Sequence, residues 1–177
     1  PEATGKPILN NKNSKVGGNG TLVEVYKDDN GSYKVVVINT YVSEVTKVTP
    51  AKGNDPATVT VDGMKYETTA YEVEDIVLYT VADGEIQSMS RPDMVSGKVT
   101  STTAKDGKFS FVVNGTTYKV NETATEEIDE ALIKADNEYD LYLDQYGYVI
   151  MAKETKGTPD QYGVVIAKKT AEWEGTN

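Results

Sequence analysis

Tyrosine is the residue type in this 177-residue chain best suited to holding a ligand, and there are 12 of them. An aromatic ring on a strand surface can stack on a sugar or a base. Tyr79, Tyr142, Tyr146 and Tyr148 are the candidates, the last three lying around one turn. Tyrosine is also a common strand former with an apolar body and a wet tip, so a structural use is the commoner one. A second candidate is Asp28, Asn30 and Ser32, which alternate like the first ligands of a calcium loop. The bidentate Glu that would close such a loop is not in place, and Asp, Asn and Gly are what a plain turn needs in any case. Two carboxylate groups remain: Glu72, Glu74 and Asp75 in a connection, and Glu126, Glu127, Asp129 and Glu130 along an expected helix. Glycoside hydrolysis needs two opposed carboxylates, one of them desolvated, and neither group shows a cause of desolvation. The first reads as a solvated turn and the second as favourable charge at a helix N-terminus.

The missing residue types narrow the chemistry further. With no Cys and no His, thiolate nucleophiles, disulfides and the usual general base are excluded, as are the commonest transition-metal ligands. Serine and threonine hydroxyls have no evident base. The chain is therefore expected not to be an enzyme, to need no cofactor and to hold no transition metal. A net charge of −10, with Lys and Arg scattered, argues against nucleic acid and anionic polymers. The aliphatic run Val35–Ile38 is far short of the ~20 residues of a membrane helix, and no signal-peptide pattern opens the chain.

The elements that must position these side chains are clearest from Val95 to Ala152. A strand, 97–102, precedes a hairpin of 109–113 and 116–120 that turns at Asn114-Gly115, a pair that tolerates the positive φ of a type I′ turn. A short helix is predicted over 125–135. Thr123-x-x-Glu126 has capping-box spacing, and Ile128, Ala131, Leu132 and Ala135 would form one apolar stripe. A second hairpin, 139–143 and 148–152, turns near Tyr146-Gly147. Upstream, Leu22–Tyr26 and Tyr33–Ile38 flank the turn Asp28-Asp29-Asn30-Gly31.

Much of the chain repeats this unit. Val45-Thr46 corresponds to Val99-Thr100, and Val61-Asp62-Gly63 to Val113-Asn114-Gly115. Asp75–Met89 aligns without a gap to Glu138–Ala152 at a spacing of 63, placing the helix of 125–135 as an insertion of 11 in the second copy. In that alignment Ile76 and Leu78 match Tyr139 and Leu141 and face inward. Tyr79 and Tyr142 lie on the opposite face with Asp140 and Asp144. The expected organisation is a partial β unit over 1–41, including a short strand at 6–10, then a β-barrel repeat over 42–94. A second repeat follows over 95–156, and then a linker and the first strand of a following unit over 157–177. The partial units at the two ends suggest a segment of a longer tandem array. Residues 5–40 then leave an open sheet edge, and the stray strand Tyr162–Lys168 has the character to cover one.

The fold class is mainly β: tandem small five-stranded OB-like Greek-key barrels with one short helix, SH3-like barrels being the alternative. Units of this size are marginal alone, so neighbouring repeats of the chain are the expected first partners.

Five stretches, Gly20–Tyr26, Val37–Val45, Asp75–Met89, Val113–Lys119 and Tyr139–Ile150, resemble the β-rich repeat region of surface proteins with S-layer homology domains from clostridial Gram-positive bacteria. The resemblance covers about 20–152. It implies an extracellular location at the cell surface or wall, anchored by parts of a longer protein, and supplies no catalytic residue. The expected function is a non-catalytic structural or spacer module of an S-layer-associated protein. The alternative is a glycan- or peptide-binding module using an exposed Tyr face, with cell-wall glycan or a host or matrix glycan or protein as its partner.

Overall fold

The structure is a computed structural model that describes residues 17–122, 124 and 127–155. The strand expected at 6–10, Thr123 and Glu126 of the capping box, and the strand expected at 162–168 lie outside the described residues. The protein is mainly β, with twelve strands: β1 (Thr21–Lys27), β2 (Tyr33–Asn39), β3 (Tyr41–Thr49), β4 (Thr58–Val61), β5 (Met64–Glu67), β6 (Ile76–Ala82), β7 (Glu85–Ser90), β8 (Asp93–Lys105), β9 (Lys108–Val113), β10 (Thr116–Lys119), β11 (Glu138–Leu143) and β12 (Val149–Glu154). β1 and β2 form an isolated hairpin. The others form two five-stranded antiparallel sheets, in the orders β5-β4-β3-β6-β7 (sheet I) and β10-β9-β8-β11-β12 (sheet II). Sheet II nearly closes on itself, because Val120, just past β10, bridges in parallel to Val149 at the start of β12.

The two sheets agree down to single backbone bonds. The amide of Val45 donates to Asp75 O and that of Glu74 to Val45 O. Val99 donates to Asn137 O, and Asp136 to Val99 O, in the same way. Glu74 and Asp136, the residues that turn into the fourth strand of each sheet, share a left-handed φ of 74° and 72°. The first strands are thus 54 apart (45 to 99), the second-to-third turns 52 (62 to 114) and the start of the fourth strands 62 (74 to 136, 75 to 137).

This corrects the gapless alignment at 63. A slip of one residue moves every side chain of a strand to the other face. Val77 therefore matches Tyr139, and Tyr79 matches Leu141. The cores then correspond position by position: Val45, Val59, Val61, Val77, Tyr79 and Ile86 in sheet I with Val99, Phe111, Val113, Tyr139, Leu141 and Val149 in sheet II. Ile76 and Leu78 point away from the core of sheet I, while Tyr79 points into it and is 5% exposed. The spacing returns to 63 only in the fifth strand, after a two-residue loop, Asp83-Gly84, between Ala82 and Glu85 in one sheet and a three-residue loop, 145–147, between Asp144 and Tyr148 in the other.

The expected helix over 125–135 is also corrected, since its described residues from 127 onward are turns. Asp129 Oδ1 accepts the amides of Ala131 and Leu132 at 2.7 and 3.1 Å, and one helical bond, Ile133 N to Asp129 O, closes a single turn. The Tyr139 hydroxyl then donates to Leu132 O and accepts the Lys134 amide. Local side-chain bonds of this kind compete with a continuing helix. Ile128 and Ile133 are the buried anchors, and Ala131, Leu132 and Ala135 are exposed, so the apolar stripe does not form.

Candidate functional site

Two turns share one design. Asp28 Oδ1 accepts the amides of Asn30 and Ser32 at 3.0 and 2.8 Å, while Asp28 N donates to Ser32 O and Gly31 N to Asp28 O. Asp144 Oδ1 accepts the amides of Tyr146 and Tyr148 at 2.8 and 2.9 Å, with the same pair of backbone bonds to Tyr148 O and from Gly147 N. The hairpin β1-β2 is therefore the counterpart of β11-β12, and Asp-x-x-Gly-x is the pattern that links them. In both turns the Oδ1 oxygen is spent on backbone donors, and among the described residues no acidic cluster is arranged to hold a metal ion.

The burial of the two turns differs. Asp144 is 3% exposed, and its second oxygen accepts Asn121 Nδ2 at 2.7 Å. The root of the β1-β2 hairpin docks on this pair. Asn19 donates from Nδ2 to Val120 O and accepts the Glu122 amide at its backbone carbonyl, and Gly20, at φ 85°, lies so close that a Cβ there would sit 1.9 Å from Asn121 Nδ2. Asn121 escaped the sequence reading, and Asp144, expected on the outer face with Tyr142, is buried instead, a role for which the repeated Asp-x-x-Gly pattern carried the signal.

Sheets I and II meet along a second contact. Between Tyr142 and Leu143 the β11-β12 register shifts, leaving Ile150 as an extra residue opposite the break. A bulge of this kind re-aims a side chain. Ile150, 1% exposed, packs with Val42 and Leu78 of sheet I, flanked by Ile76, Ala124 and Met151. Lys153 pairs with Glu44, and Gln145 Nε2 donates to Thr40 Oγ1 at 2.7 Å. A cleft of about 470 Å³ runs beside this contact, between Val42, Glu44 and Thr46 on one side and Ile150, Met151 and Lys153 on the other. Its polar groups have partners within the protein: Ser43 Oγ donates to Asp62 Oδ1, and Thr46 Oγ1 to the backbone carbonyl of Thr60.

The four tyrosines singled out from the sequence are not gathered into one groove. Tyr79 is a core residue whose ring lies 5.6 Å from that of Tyr41 and whose hydroxyl donates to Asp62 Oδ2. Tyr142 stands on the outer face of sheet II between Met94 and Met151 in register. Tyr146 is exposed at the tip of the turn, and Tyr148 is half-buried where β12 begins.

Burial, reinforced by the hydrogen bond to the Asp62 carboxylate, raises the Tyr79 pKa well above the ordinary tyrosine range. A raised folded-state pKa gives stability that is complete below about pH 10 and is lost as the pH climbs through the folded value. Replacement by Phe is expected to cost about 1 kcal/mol at neutral pH and to flatten the loss of stability above pH ~10. Denaturant unfolding across alkaline pH reads both.

The sole arginine of the chain clamps the segment between the sheets. Arg91 stacks over Tyr71, 5.0 Å from its ring centre, and donates to Asp75 at 2.6 Å. The backbone amide of Glu72 and then Arg91 hold the Asp75 carboxyl below its usual value. Asp75, read from sequence as part of a solvated turn, is thus a fastening point. Stability from a depressed carboxylate is present above the ordinary range, about pH 3.9, and is lost as pH falls through the lowered value. The stability gap between the protein and Asp75→Asn should therefore hold from pH 7 to about 5 and close in more acid solution, as thermal melts across that range will read.

No family model matches the chain, and neither a curated protein nor a solved structure is significantly similar to it. No helix of the described residues is long and apolar enough to cross a membrane.

Proposed function

We propose that the chain is a non-catalytic spacer segment of a bacterial cell-surface, S-layer-associated protein, built of tandem OB-like barrels set at a fixed relation to one another. The observation that carries this reading is the apolar contact of Ile150 with Val42 and Leu78. It spends a bulged residue on joining one unit to the next and leaves the core of each unit intact. The barrel reading is supported by the strand order, in which the first strand of each sheet pairs with both the second and the fourth. The parallel bridge between the ends of the third and fifth strands supports it too, since such a closure makes a Greek-key barrel of OB type and leaves SH3-like topology the weaker alternative. The surface location rests on the resemblance drawn from the sequence.

A second reading is favoured by one strip of sheet II. Tyr142 lies between Met94, 58% exposed, and Met151, with the exposed Tyr146 at the adjoining turn. Aromatic and thioether side chains in such a row would suit a sugar face or an apolar peptide side chain. An array of cell-wall and host glycans probed with the chain separates the two. The spacer reading expects no binding that Tyr142→Ala abolishes, and saturable binding lost in that variant would establish the module as a receptor.

A further inference from the structure

The β1-β2 hairpin presents to solvent a face that its counterpart in the same chain buries. Matching the two Asp-x-x-Gly turns pairs Val23 with Tyr139 and Val25 with Leu141, at a spacing of 116 (28 to 144, 31 to 147). Tyr139 and Leu141 are 1% and 0% exposed, whereas Val23 and Val25 are 37% and 61% exposed. In sheets I and II the fourth strand pairs on one edge with the fifth and on the other with the first. β1 has the fifth-type partner, β2, and among the described residues no first-type strand beside it. A long, apolar, unpaired edge with an uncovered core face is a template for strand addition.

The chain carries one more segment of first-strand type. Tyr162-Gly163-Val164-Val165-Ile166-Ala167-Lys168 follows the pattern of Tyr41-Val42-Ser43-Glu44-Val45-Thr46-Lys47, aromatic, then apolar at the fifth position, then Lys at the seventh. We propose that residues 162–168 of one molecule add to β1 of a second copy of this chain, antiparallel, as the first strand of its open unit. The registers of the existing units fix the pairing. Tyr41 faces Tyr79 and Ser43 faces Val77, as Val95 faces Leu141 and Gly97 faces Tyr139. Tyr162 therefore faces Val25 and Val164 faces Val23, and the side chains of Tyr162, Val164 and Ile166 cover the open core.

A neighbouring molecule fits better than the same one. The chain leaves β12 beside Glu138, where Thr155 N donates to Glu138 O, while the hairpin is rooted at Asn121 and Asp144 past the other end of β11. That separation is one six-residue strand, about 20 Å. Residue 162 must then reach Val25, five residues beyond Gly20 at the root, through a connection, 155–161, that spans at most about 25 Å when fully extended. Head-to-tail addition is a heterologous contact, which propagates into open chains of molecules rather than closing as a dimer. The inference rests on the unit equivalence used in the proposed function, but not on the spacer role.

Because the chain has no cysteine, introduced pairs report the contact without background. Val23→Cys in one preparation and Val164→Cys in another, mixed and oxidised, should give a disulfide-linked dimer within the 4.4–6.8 Å Cα reach of the bond. Val23→Cys mixed with Gly163→Cys, whose side chain points to the other face, should give at least tenfold less. Sedimentation of the unaltered chain should show association that rises with concentration and is lost in Ile166→Asp. Equal linking by residues 163 and 164, no linking by either, or a monomer at every concentration would overturn the proposal. So would a chain carrying both Val23→Cys and Val164→Cys that links only within itself. The orientation of sheets I and II, read separately, would still test the spacer reading.

Discussion

Replacing Ile150 by Asp is expected to uncouple sheets I and II without unfolding either. The side chain is a member of the contact with Val42 and Leu78 and not of the core formed by Val99, Phe111 and Leu141. Truncating a fully buried Ile to Ala costs about 2–5 kcal/mol, and a carboxylate in the same position adds the penalty of an unpaired buried charge. The unaltered protein should melt in one transition. The Asp variant should melt in two, with a larger radius of gyration by small-angle scattering. A variant that melts at once, with both sheets lost together, would mean that Ile150 supports the core of sheet II rather than the joint.

The second large effect is expected at Asp144. Its buried carboxylate accepts the partly buried amides of Tyr146 and Tyr148 and the buried side-chain amide of Asn121, so Asp144→Ala removes the acceptor of three hydrogen bonds at once. A buried unsatisfied donor costs about 1–3 kcal/mol and a partly buried one less, giving a loss on the order of 3 kcal/mol. Asp28 makes the same two turn bonds at an exposed site, where water replaces them, and Asp28→Ala should cost under about 1 kcal/mol. Chemical denaturation of the two variants side by side measures burial against geometry, since the turn is the same. Equal losses would show that the turn itself, and not the Asn121 pair and the docked hairpin root, holds the corner.

Much of the fold was legible because turn chemistry is local. Asp62-Gly63, Asp83-Gly84, Asp106-Gly107 and Asn114-Gly115 all take the positive φ that such pairs tolerate, and the strands between them follow. The facing of the fourth strand was not legible. Val77, Leu78 and Tyr79 are buried consecutively, two against the core of sheet I and one against sheet II, so the alternation that would reveal the register is erased. The shared letters Leu78-Tyr79 and Leu141-Tyr142 then favoured a match one residue out of step with the backbone. The helix failed for a different reason. Its periodicity was real in the letters, but Asp129 and the Tyr139 hydroxyl claim the backbone groups that a second turn would need. The Tyr79 hydroxyl found a carboxylate, Asp62, two strands away, which no local pattern encodes.

A fixed relation between the two five-stranded units is the centre of this account, and amide residual dipolar couplings in a weakly aligned sample test it most directly. Couplings from β3–β7 and from β8–β12 should fit a single alignment tensor of one magnitude and direction in the unaltered protein, and should separate into two tensors in Ile150→Asp. Two different tensors in the unaltered protein would contradict the account, because units that reorient independently cannot hold a set spacing.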